Sequence, residues 1–501
     1  MSDAASSTPL QAYATLPGPP PLPLLGNAHQ IRPDVFHQQM EAWAAQYGRR
    51  FRFRITNRTF MAVSDPDAIA SVLKRRPQAF LKGSRLVQVA RDLGIHGVFS
   101  ENGDAWRRQR LLVMAGLDPA HLRNYLPAIV TVTRRLRARW TTMAEAGHEI
   151  DLLQDLMRYT VDVTTCLAFG HDLNTIEQGD EVVIQKHLSH LFPTLFRRVL
   201  APVDVRHWIR DSETQKHVVA LKEAVAGFIA VAREQLARSP ELVSHPDNLI
   251  QAMVAARDTQ DGLSDDELSG NVSTLLLAGE DTTAHTMAWM LWLMSQNPAA
   301  LDRARAEVDA VLGQGQVPDN LEQIAGLDYL DACANEAMRL KPVAPINILQ
   351  AAQDIEVDGV LVPAGTFVVC VMRAAGLDAD NFEEPARFRP ERWLQGDMAD
   401  HSASANGRMF SAKRTVMPFG AGPRVCPGRY LALVEIKMVM GMLLSNFEIQ
   451  KVHCETGEPQ ERLTLTMAPV GLQMLLKTRP GIAADERTSC RSTSESAPAP
   501  S

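Results

Sequence analysis

The chain has 501 residues, of which 46% are hydrophobic and 22% charged, and its formal net charge at pH 7 is −7. These proportions are typical of a soluble globular protein and exclude a disordered, collagen-like or fibrous chain. The acidic balance, without a long basic run, excludes a typical nucleic-acid-binding surface.

The N-terminal residues lack the features of a targeting segment. Residues 1–15 have neither a basic start nor an apolar core, so they do not resemble a signal peptide, and we expect them to be flexible. Dense apolar runs reach about eight residues, whereas a transmembrane helix needs ~20. The sequence therefore predicts a soluble, cytoplasmic protein without a transmembrane anchor.

Residues 16–26 are rich in proline. Proline fixes φ and supplies no amide hydrogen, and the interleaved leucines favour packing, so this segment is predicted to be an extended strap on the protein body. Two short β runs follow at residues 51–55 and 60–63. Helical periodicity then dominates to about residue 340.

Extended segments return at residues 355–362 and 366–371, with Asp358 and Gly359 as a hairpin turn. Residues 480–501 are rich in Ser, Ala, Pro and charge, and we expect a disordered tail.

One predicted helix is unusually long. Ser264 and Glu267 have the spacing of a capping box, and periodicity continues to Asn297, where Pro298 stops it. A helix of about 32 residues spans ~48 Å, so it should cross the whole molecule. Because it is apolar around much of its circumference, we predict that it lies in the core.

The middle of this helix carries Gly279, Glu280, Asp281 and Thr282. Glycine costs ~1 kcal/mol in a helix interior, and acids in a buried apolar helix are rare. Gly279 would let a ligand approach the backbone, while Asp281 and Thr282 would relay protons. The alternative is a solvated face on which Thr282 bonds back to the carbonyl of Ala278.

A glycine-rich loop, residues 418–429, contains Cys426 and precedes a helix predicted at residues 430–444. Pro427 suits the first helical position, which would put Cys426 at the N-cap. A thiol with pKa ~8.5 is only ~3% ionised at pH 7, and favouring the thiolate needs ~2 kcal/mol. A helix terminus offers ~0.3–1 kcal/mol, whereas a metal ion deprotonates a thiol outright. A buried structural cysteine and a catalytic nucleophile are the alternatives.

The six cysteines are scattered without a CxxC pair, which argues against a disulfide scaffold and favours a reducing compartment.

The cysteine loop resembles the haem-binding signature of the cytochrome P-450 family, the haem-thiolate monooxygenases. Four other segments resemble family motifs and occur in the expected order. They are the WxxxR segment at 106–110, the oxygen-activation segment at 278–282, the ExxR motif at 336–339 and the PERF/W segment at 390–393.

The resemblance implies a mainly α fold with a smaller β-rich region, a long central helix over the haem, and a single catalytic domain at residues 16–479. It assigns the iron of haem b to the Cys426 thiolate. Phe419, Gly420 and Gly428 belong to the same haem-binding loop, and the residues assigned to the haem propionates are Trp106, Arg110 and Arg424. Residues 346–352 lack the arginine that many members place there for a propionate.

The resemblance also implies that Glu336, Arg339 and Arg392 form a buried charge cluster. Breaking such a network typically costs ~3–5 kcal/mol.

The expected reaction is insertion of one oxygen atom of O2 into a hydrophobic substrate, such as a fatty acid, terpenoid, steroid-like or aromatic compound. A cysteine ligand favours O–O cleavage, Asp281 and Thr282 would deliver protons, and Gly279 would make room for dioxygen. Electrons would come from a ferredoxin with its reductase or from a flavodoxin. Five cations are candidates for docking this donor: Arg107, Arg108, Lys413, Arg414 and Arg429.

Alternatives remain open: peroxygenation, isomerisation or ring coupling by a family relative, and a haem-binding sensor or electron carrier. The family resemblance implies a pocket lined by residues 86–98, in a loop, and by residues 188–200, 274–278, 343–349 and 467–470. Arg85 or Arg91 would meet a substrate carboxylate.

His187 and His190 share a helical face, but without a third ligand we interpret them as solvated or packing residues rather than a zinc site.

Overall fold

In a computed structural model of the chain, the described residues are 10–117, 119–178, 183–201, 211–257, 263–394 and 412–480. Helices make up most of this part, as predicted. In chain order they are α1 Phe36–Tyr47, α2 Pro66–Lys74, α3 Ser84–Asp92, α4 Gly103–Gly116, α5 Pro119–Ala146, α6 Leu152–Phe169, α7 Thr175–Gln178, α8 Val183–Leu200, α9 Ser212–Arg238, α10 Leu249–Arg257, α11 Asp265–Ser295, α12 Pro298–Val311, α13 Leu321–Ala325, α14 Asp328–Leu340, α15 Met372–Leu377, α16 Ala412–Thr415 and α17 Arg429–Asn446.

The strands are short and form small sheets. In chain order they are β1 Gln11–Ala12, β2 Arg50–Ile55, β3 Arg58–Val63, β4 Phe80–Leu81, β5 Ile150–Asp151, β6 Ile346–Ala351, β7 Ile355–Val357, β8 Val360–Val362, β9 Phe367–Val371, β10 Phe447–His453, β11 Gln460–Leu463, β12 Met467–Val470 and β13 Gln473–Thr478. The largest sheet has the order β2-β3-β9-β6-β4, and the others are β1-β8-β7, β10-β13-β5 and the hairpin β11-β12.

Several strand predictions are confirmed. The two early runs form β2 and β3, which pair antiparallel with Phe53 opposite Phe60. Asp358 and Gly359 both have positive φ, 50° and 74°, and join β7 to β8, as a two-residue hairpin turn requires. Strand β6 occupies the stretch after the ExxR helix that the family resemblance implies is extended, whereas the C-terminal strands β10 to β13 were not predicted.

The central helix α11 is confirmed, with bounds two residues shorter than predicted at its C-terminal end. The Ser264 side chain accepts from the Glu267 amide at 3.2 Å, and the Ser264 amide donates to the Glu267 carboxylate at 2.9 Å. Buried residues of α11 enter three separate hydrophobic clusters: Leu276 enters one, Leu291 another and Trp289 a third. The helix therefore lies in the core along most of its length and holds α6, α9 and α14 around it.

The proline-rich strap packs on the protein body at both of its ends. The Arg52 amide donates to the carbonyl of Pro17 at 2.9 Å, Leu16 is buried, and Gly26 forms a bridge with Ile55 of β2. Between these anchors the strap turns outward, and Leu24 is 89% exposed.

The flexible N-terminus predicted at residues 1–15 and the disordered tail predicted at residues 480–501 lie largely outside the described residues. Residues 1–9 and 481–501 are not described, whereas residues 10–15 contain β1, which pairs in parallel with β8. No helix in the described part of the chain is long and apolar enough to span a membrane.

Candidate active site

The cysteine loop follows α16 and is closed by its own backbone. The Cys426 amide donates to the carbonyl of Phe419 at 2.8 Å, and Gly420 and Gly422 adopt φ of 72° and 70°. A Cβ at Gly422 would lie 2.7 Å from Cα of Lys74 in α2. The loop conformation and its approach to α2 therefore both require glycine at this position.

The predicted N-cap is wrong by two residues. Helix α17 begins at Arg429 with Gly428 as its N-cap, so Cys426 stands outside the helix. The thiol is instead contacted by the Gly428 amide, which lowers its pKa, as do the charges of Arg110 and Arg429. Burial outweighs these effects and raises the pKa of Cys426. The protein alone thus favours the thiol, and a metal ion would be needed to hold the thiolate.

Cations gather around this loop. The Arg110 guanidinium donates to the carbonyl of Val425 at 2.6 Å, and that of Arg76 donates to the carbonyl of Ala421 at 2.9 Å. Arg424 donates to the carbonyl of Glu101 at 2.5 Å and lies 4.4 Å above the ring of Trp106. The structure thus brings together the three residues assigned to the propionates and adds Arg76.

Lys82, which the sequence did not single out, joins this group. Burial, together with the charges of Arg76 and Arg424, lowers the pKa of Lys82 to about 7. Burial, with the charges of Arg76 and Arg110, lowers the pKa of Arg424 to about 10, and its Nε is buried without a partner among the described residues. Buried cations that repel one another indicate a missing anion.

Haem fits this site because its two propionates would supply the missing negative charge beside a buried thiol. Strand β6 lacks the arginine that many family members place there for a propionate. Lys82 supplies a different cation near the cysteine loop. No local sequence pattern identifies Lys82, since its role depends on neighbours that are distant along the chain.

Helix α11 opens toward accessible space at one turn. Ala278 is exposed and Thr282 is half-buried, whereas Leu277 and Glu280 are buried. The hydroxyl of Thr282 donates to the carbonyl of Ala278 at 2.9 Å, which is the back-bonded arrangement considered as the alternative to a proton relay.

The acids of α11 lie on its buried side. Asp281 is 7% exposed, and burial raises its pKa to about 7, while a hydrogen bond from Thr466 acts in the opposite direction. Glu280 is fully buried, and neither of its carboxyl oxygens has a partner among the described residues. Burial and the charge of Asp281 raise the pKa of Glu280. Both carboxyls therefore hold protons more tightly than ordinary acids.

The position of Gly279 corrects an expectation. A Cβ at this residue would lie 2.4 Å from Oγ1 of Thr164 in α6. The space beside Gly279 is thus filled by a neighbouring helix, and glycine is needed there for helix packing rather than to make room for dioxygen. Ala278 is the adjacent residue that faces accessible space.

The ExxR residues form a buried ion pair. Arg339 and Glu336 have fully buried side chains and are joined at 2.7 and 2.8 Å. Arg339 also donates to the carbonyls of Gly376, Pro385 and Arg387. Glu336 accepts from Arg392 Nε at 3.3 Å and from Trp393 Nε1 at 2.9 Å. Arg392 thus joins the cluster, as the family resemblance implies.

The residues suggested for a substrate carboxylate are engaged elsewhere. Arg91 binds the carboxylate of Glu101 through its guanidinium at 3.0 Å, and Arg85 donates to the carbonyl of Ala201 at 2.7 Å. The segment around Leu86, expected to be a loop, is helix α3.

The two histidines of α8 meet a third, His217 of α9. Nδ1 atoms of His187 and His217 are 2.7 Å apart, and the rings of His190 and His217 stack at 4.2 Å. Within the described ranges, no group of three potential ligands is arranged to hold a metal ion.

The candidate docking cations differ in their surroundings. Arg107 and Arg414 are exposed. Arg108 forms a close ion pair with Glu267, and Arg429 donates to the hydroxyl of Tyr430 at 2.9 Å. The side chain of Lys413 is outside the described part of the structure.

Comparison with known proteins shows one clear family. The family model for Cytochrome P450 matches residues 16–476. Cytochrome P450 3A6 of Oryctolagus cuniculus is 25% identical over 451 residues, covering 89% of this chain and 87% of the relative. Cytochrome P450 93B2 of Gerbera hybrida is 27% identical over 462 residues, covering 90% and 89%. These relatives come from a mammal and a plant, so they do not support the soluble bacterial type expected from the sequence.

We expect Glu336→Ala and Arg339→Ala each to lower the free energy of unfolding by about 3–5 kcal/mol, because each leaves a buried charge without its partner. Urea unfolding and haem content after purification measure the effect. Arg238→Ala removes an exposed pair with Glu234 and should cost under about 0.5 kcal/mol. Stable variants with full haem content would contradict this role.

Gly279→Ala should destabilise the protein by about 1–3 kcal/mol, because the new methyl group overlaps Thr164. The double variant Gly279→Ala with Thr164→Ala should recover part of this loss in urea unfolding. Gly227→Ala is a matched control: it lies in α9 with nothing near its Cβ, and should stabilise the helix by up to ~1 kcal/mol. Unchanged stability of Gly279→Ala would contradict the packing role of this glycine.

Proposed function

The chain belongs to the cytochrome P450 family of haem-dependent monooxygenases, and we propose on this basis that it inserts one atom of O2 into a hydrophobic organic substrate with electrons from a separate redox protein. The other oxygen atom leaves as water, which requires two electrons and two protons. The observation that carries the proposal is the buried thiol of Cys426 in a loop surrounded by mutually repelling cations, together with the buried carboxyl of Asp281 on α11, whose pKa is raised to about 7.

Haem b, when bound, supplies the dioxygen-activating chemistry. We assign its iron to the thiolate of Cys426 and its propionates to Trp106, Arg110 and Arg424, with Lys82 and Arg76 as added cations. Phe419, Gly420 and Gly428 shape the loop that presents the thiol, through the amide contacts described above.

Proton delivery is assigned to Asp281 and Thr282. A carboxyl with a pKa of about 7 can both hold and release a proton at neutral pH, which suits a general acid. Thr282 follows Asp281 on α11 at the turn that faces accessible space, and its hydroxyl would relay a proton by exchanging its bond to the Ala278 carbonyl for one to the reacting group. Glu280 is buried next to Asp281 on the same helix, and burial together with the charge of Asp281 raises its pKa.

The substrate class follows from the predicted lining, which is mainly apolar. Since Arg91 is paired with Glu101 and Arg85 is bonded to Ala201, the charged groups expected for a carboxylate are engaged by the protein itself. This favours neutral terpenoid, steroid-like or aromatic substrates over a fatty acid.

The electron donor is proposed to be a ferredoxin with its reductase or a flavodoxin, docking at the exposed Arg107 and Arg414. Such charges act mainly on the rate of encounter. The soluble bacterial type and the cytoplasmic location remain predictions, which fractionation of the producing cells would test.

The carbon monoxide difference spectrum of the reduced protein tests the ligand. We expect the red-shifted Soret band that is characteristic of the family, and we expect Cys426→Ala to lose it. Cys166→Ala removes a half-buried free thiol elsewhere and should leave the band unchanged. An ordinary haem–carbonyl spectrum from folded protein would mean that Cys426 is not the ligand.

Turnover with a supplied redox partner tests the reaction. NAD(P)H consumption should be coupled to oxygenated product, and Asp281→Asn and Thr282→Val should lower the coupled fraction by at least about tenfold, since general acid catalysis contributes ~10²–10⁴-fold. Product formed as well from hydrogen peroxide alone would favour a peroxygenase. Full haem content without turnover of any substrate class would favour a sensor or electron carrier.

A further inference from the structure

The tip of the hairpin β11–β12, residues 464–466, contacts Asp281 of α11. Between the strands, the Thr464 amide donates to the carbonyl of Thr466 at 3.0 Å, and Leu465 has φ of 99°. A positive φ is unfavourable for a leucine and persists only where the surroundings enforce it. Leu465 packs beside the hydrophobic cluster that includes Leu195 of α8 and Leu221 of α9, which accounts for its fixed position.

Thr466 follows Leu465 at the hairpin tip, and its side chain contacts Asp281. Oγ1 of Thr466 donates to Oδ2 of Asp281 at 3.5 Å, and both residues are more than nine-tenths buried. The bond is long, as hydrogen bonds in active sites often are before substrate binds.

The hairpin is anchored to neighbouring elements on both of its strands. The indole of Trp289 donates to the carbonyl of Met467 at 3.1 Å, and the Met467 amide donates to the carbonyl of Val343 at 2.8 Å. The carboxylate of Glu461 binds Arg373 of α15 at 2.6 Å and His37 of α1 at 2.8 Å. The hydroxyl of Thr466 is therefore placed by packed elements and not by a free loop.

We propose that Thr466 is a positioning residue for Asp281, whose hydroxyl orients the carboxyl and stabilises its ionised form during proton delivery. This inference rests on the role of Asp281 in the proposed function. Thr466 does not touch the reacting atoms, and its effect passes through one hydrogen bond.

Among the described residues, the other titratable groups on α11 and on the helices packed against it donate no hydrogen bond to the Asp281 carboxyl that would replace this one. On α11 itself, burial and the charge of Asp281 raise the pKa of Glu280. His285, one turn further, stays neutral because burial and Arg462 of β11 lower its pKa to about 3. Glu435 of α17 accepts from Thr283 and has a pKa raised by burial to about 8. Tyr159 of α6 is fully buried, and burial raises its pKa.

The test uses variants that differ only at the hydroxyl. Thr466→Val keeps the shape and removes the donor, Thr466→Ser keeps the donor, and Thr464→Val changes the same hairpin without touching Asp281. Infrared titration of protonated carboxyl bands in the ferric holoenzyme reads the charge state without turnover. Asp281→Asn identifies the band of Asp281.

The hydrogen bond from Thr466 to Asp281 determines the direction in which the pKa should change. Because Thr466 donates to Asp281, it favours the carboxylate, so Thr466→Val should raise the titration midpoint of the Asp281 band by up to about one pH unit, a tenfold change in proton affinity. The pH profile of coupled turnover should move upward with it, while KM stays within about twofold. Thr466→Ser and Thr464→Val should behave as the parent protein.

A midpoint unmoved by Thr466→Val, or moved equally by Thr466→Ser or Thr464→Val, would overturn the inference. So would the absence of a carboxyl band lost in Asp281→Asn. If Thr466→Val does not fold, Thr466→Ala with the serine variant as its control replaces it. Failure of turnover with an intact infrared titration would contradict the proposed reaction and leave this inference standing.

Discussion

The ion pair of Glu336 and Arg339 fixes the irregular part of the chain to the helical core. Neither side chain has exposed surface, and removing two charges from water costs several kcal/mol per ion unless hydrogen bonds replace the lost solvent. The structure provides these bonds, because Arg339 holds three backbone carbonyls between residues 376 and 387. Helix α14 also packs on α11 and α17, so the segment is positioned relative to both the central helix and the helix after the cysteine loop.

Two electrostatic environments then divide the active site. On the loop side, Lys82, Arg76 and Arg424 repel one another, and an anionic cofactor would relieve that repulsion. On the α11 side, burial keeps Asp281 and Glu280 protonated to higher pH than ordinary acids. Each arrangement lowers the stability of the folded chain by itself. Function therefore accounts for both better than folding does.

The sequence predicted the features that local patterns determine. The capping box at Ser264, the length of α11 and the paired strands β2 and β3 depend on neighbouring residues, and the structure has them. The role of Gly279 could not be predicted in this way, because an interior glycine is equally compatible with an approaching ligand and an approaching helix. Only the position of Thr164 distinguishes the two.

Other site features depend on contacts between distant segments. The helix predicted at residues 430–444 is present as α17, but its N-cap is Gly428, so Cys426 lies outside the helix although Pro427 suits a first helical turn. The pKa of Lys82 is lowered by burial and by the charges of Arg76, which follows α2, and Arg424 of the cysteine loop. Thr466 and Asp281 are 185 positions apart in the sequence. Such pairs leave no periodic signal in one sequence, because the spacing between them is set by the fold alone.

The hairpin β11–β12 contacts Asp281 through one pair of atoms, Oγ1 of Thr466 and Oδ2 of Asp281. The carboxylate of Glu461 on β11 is bound by Arg373 of α15 and His37 of α1, and the hairpin group that contacts Asp281 is the neutral hydroxyl of Thr466. A cation at the same point would lower the pKa of a carboxyl by ~1–3 units, and Asp281 would then remain ionised at neutral pH. The uncharged hydroxyl of Thr466 lowers the pKa of Asp281 less than a cation would, so the increase caused by burial prevails. The pKa of about 7 at Asp281 therefore requires both the dry surroundings of α11 and an uncharged partner at the hairpin tip.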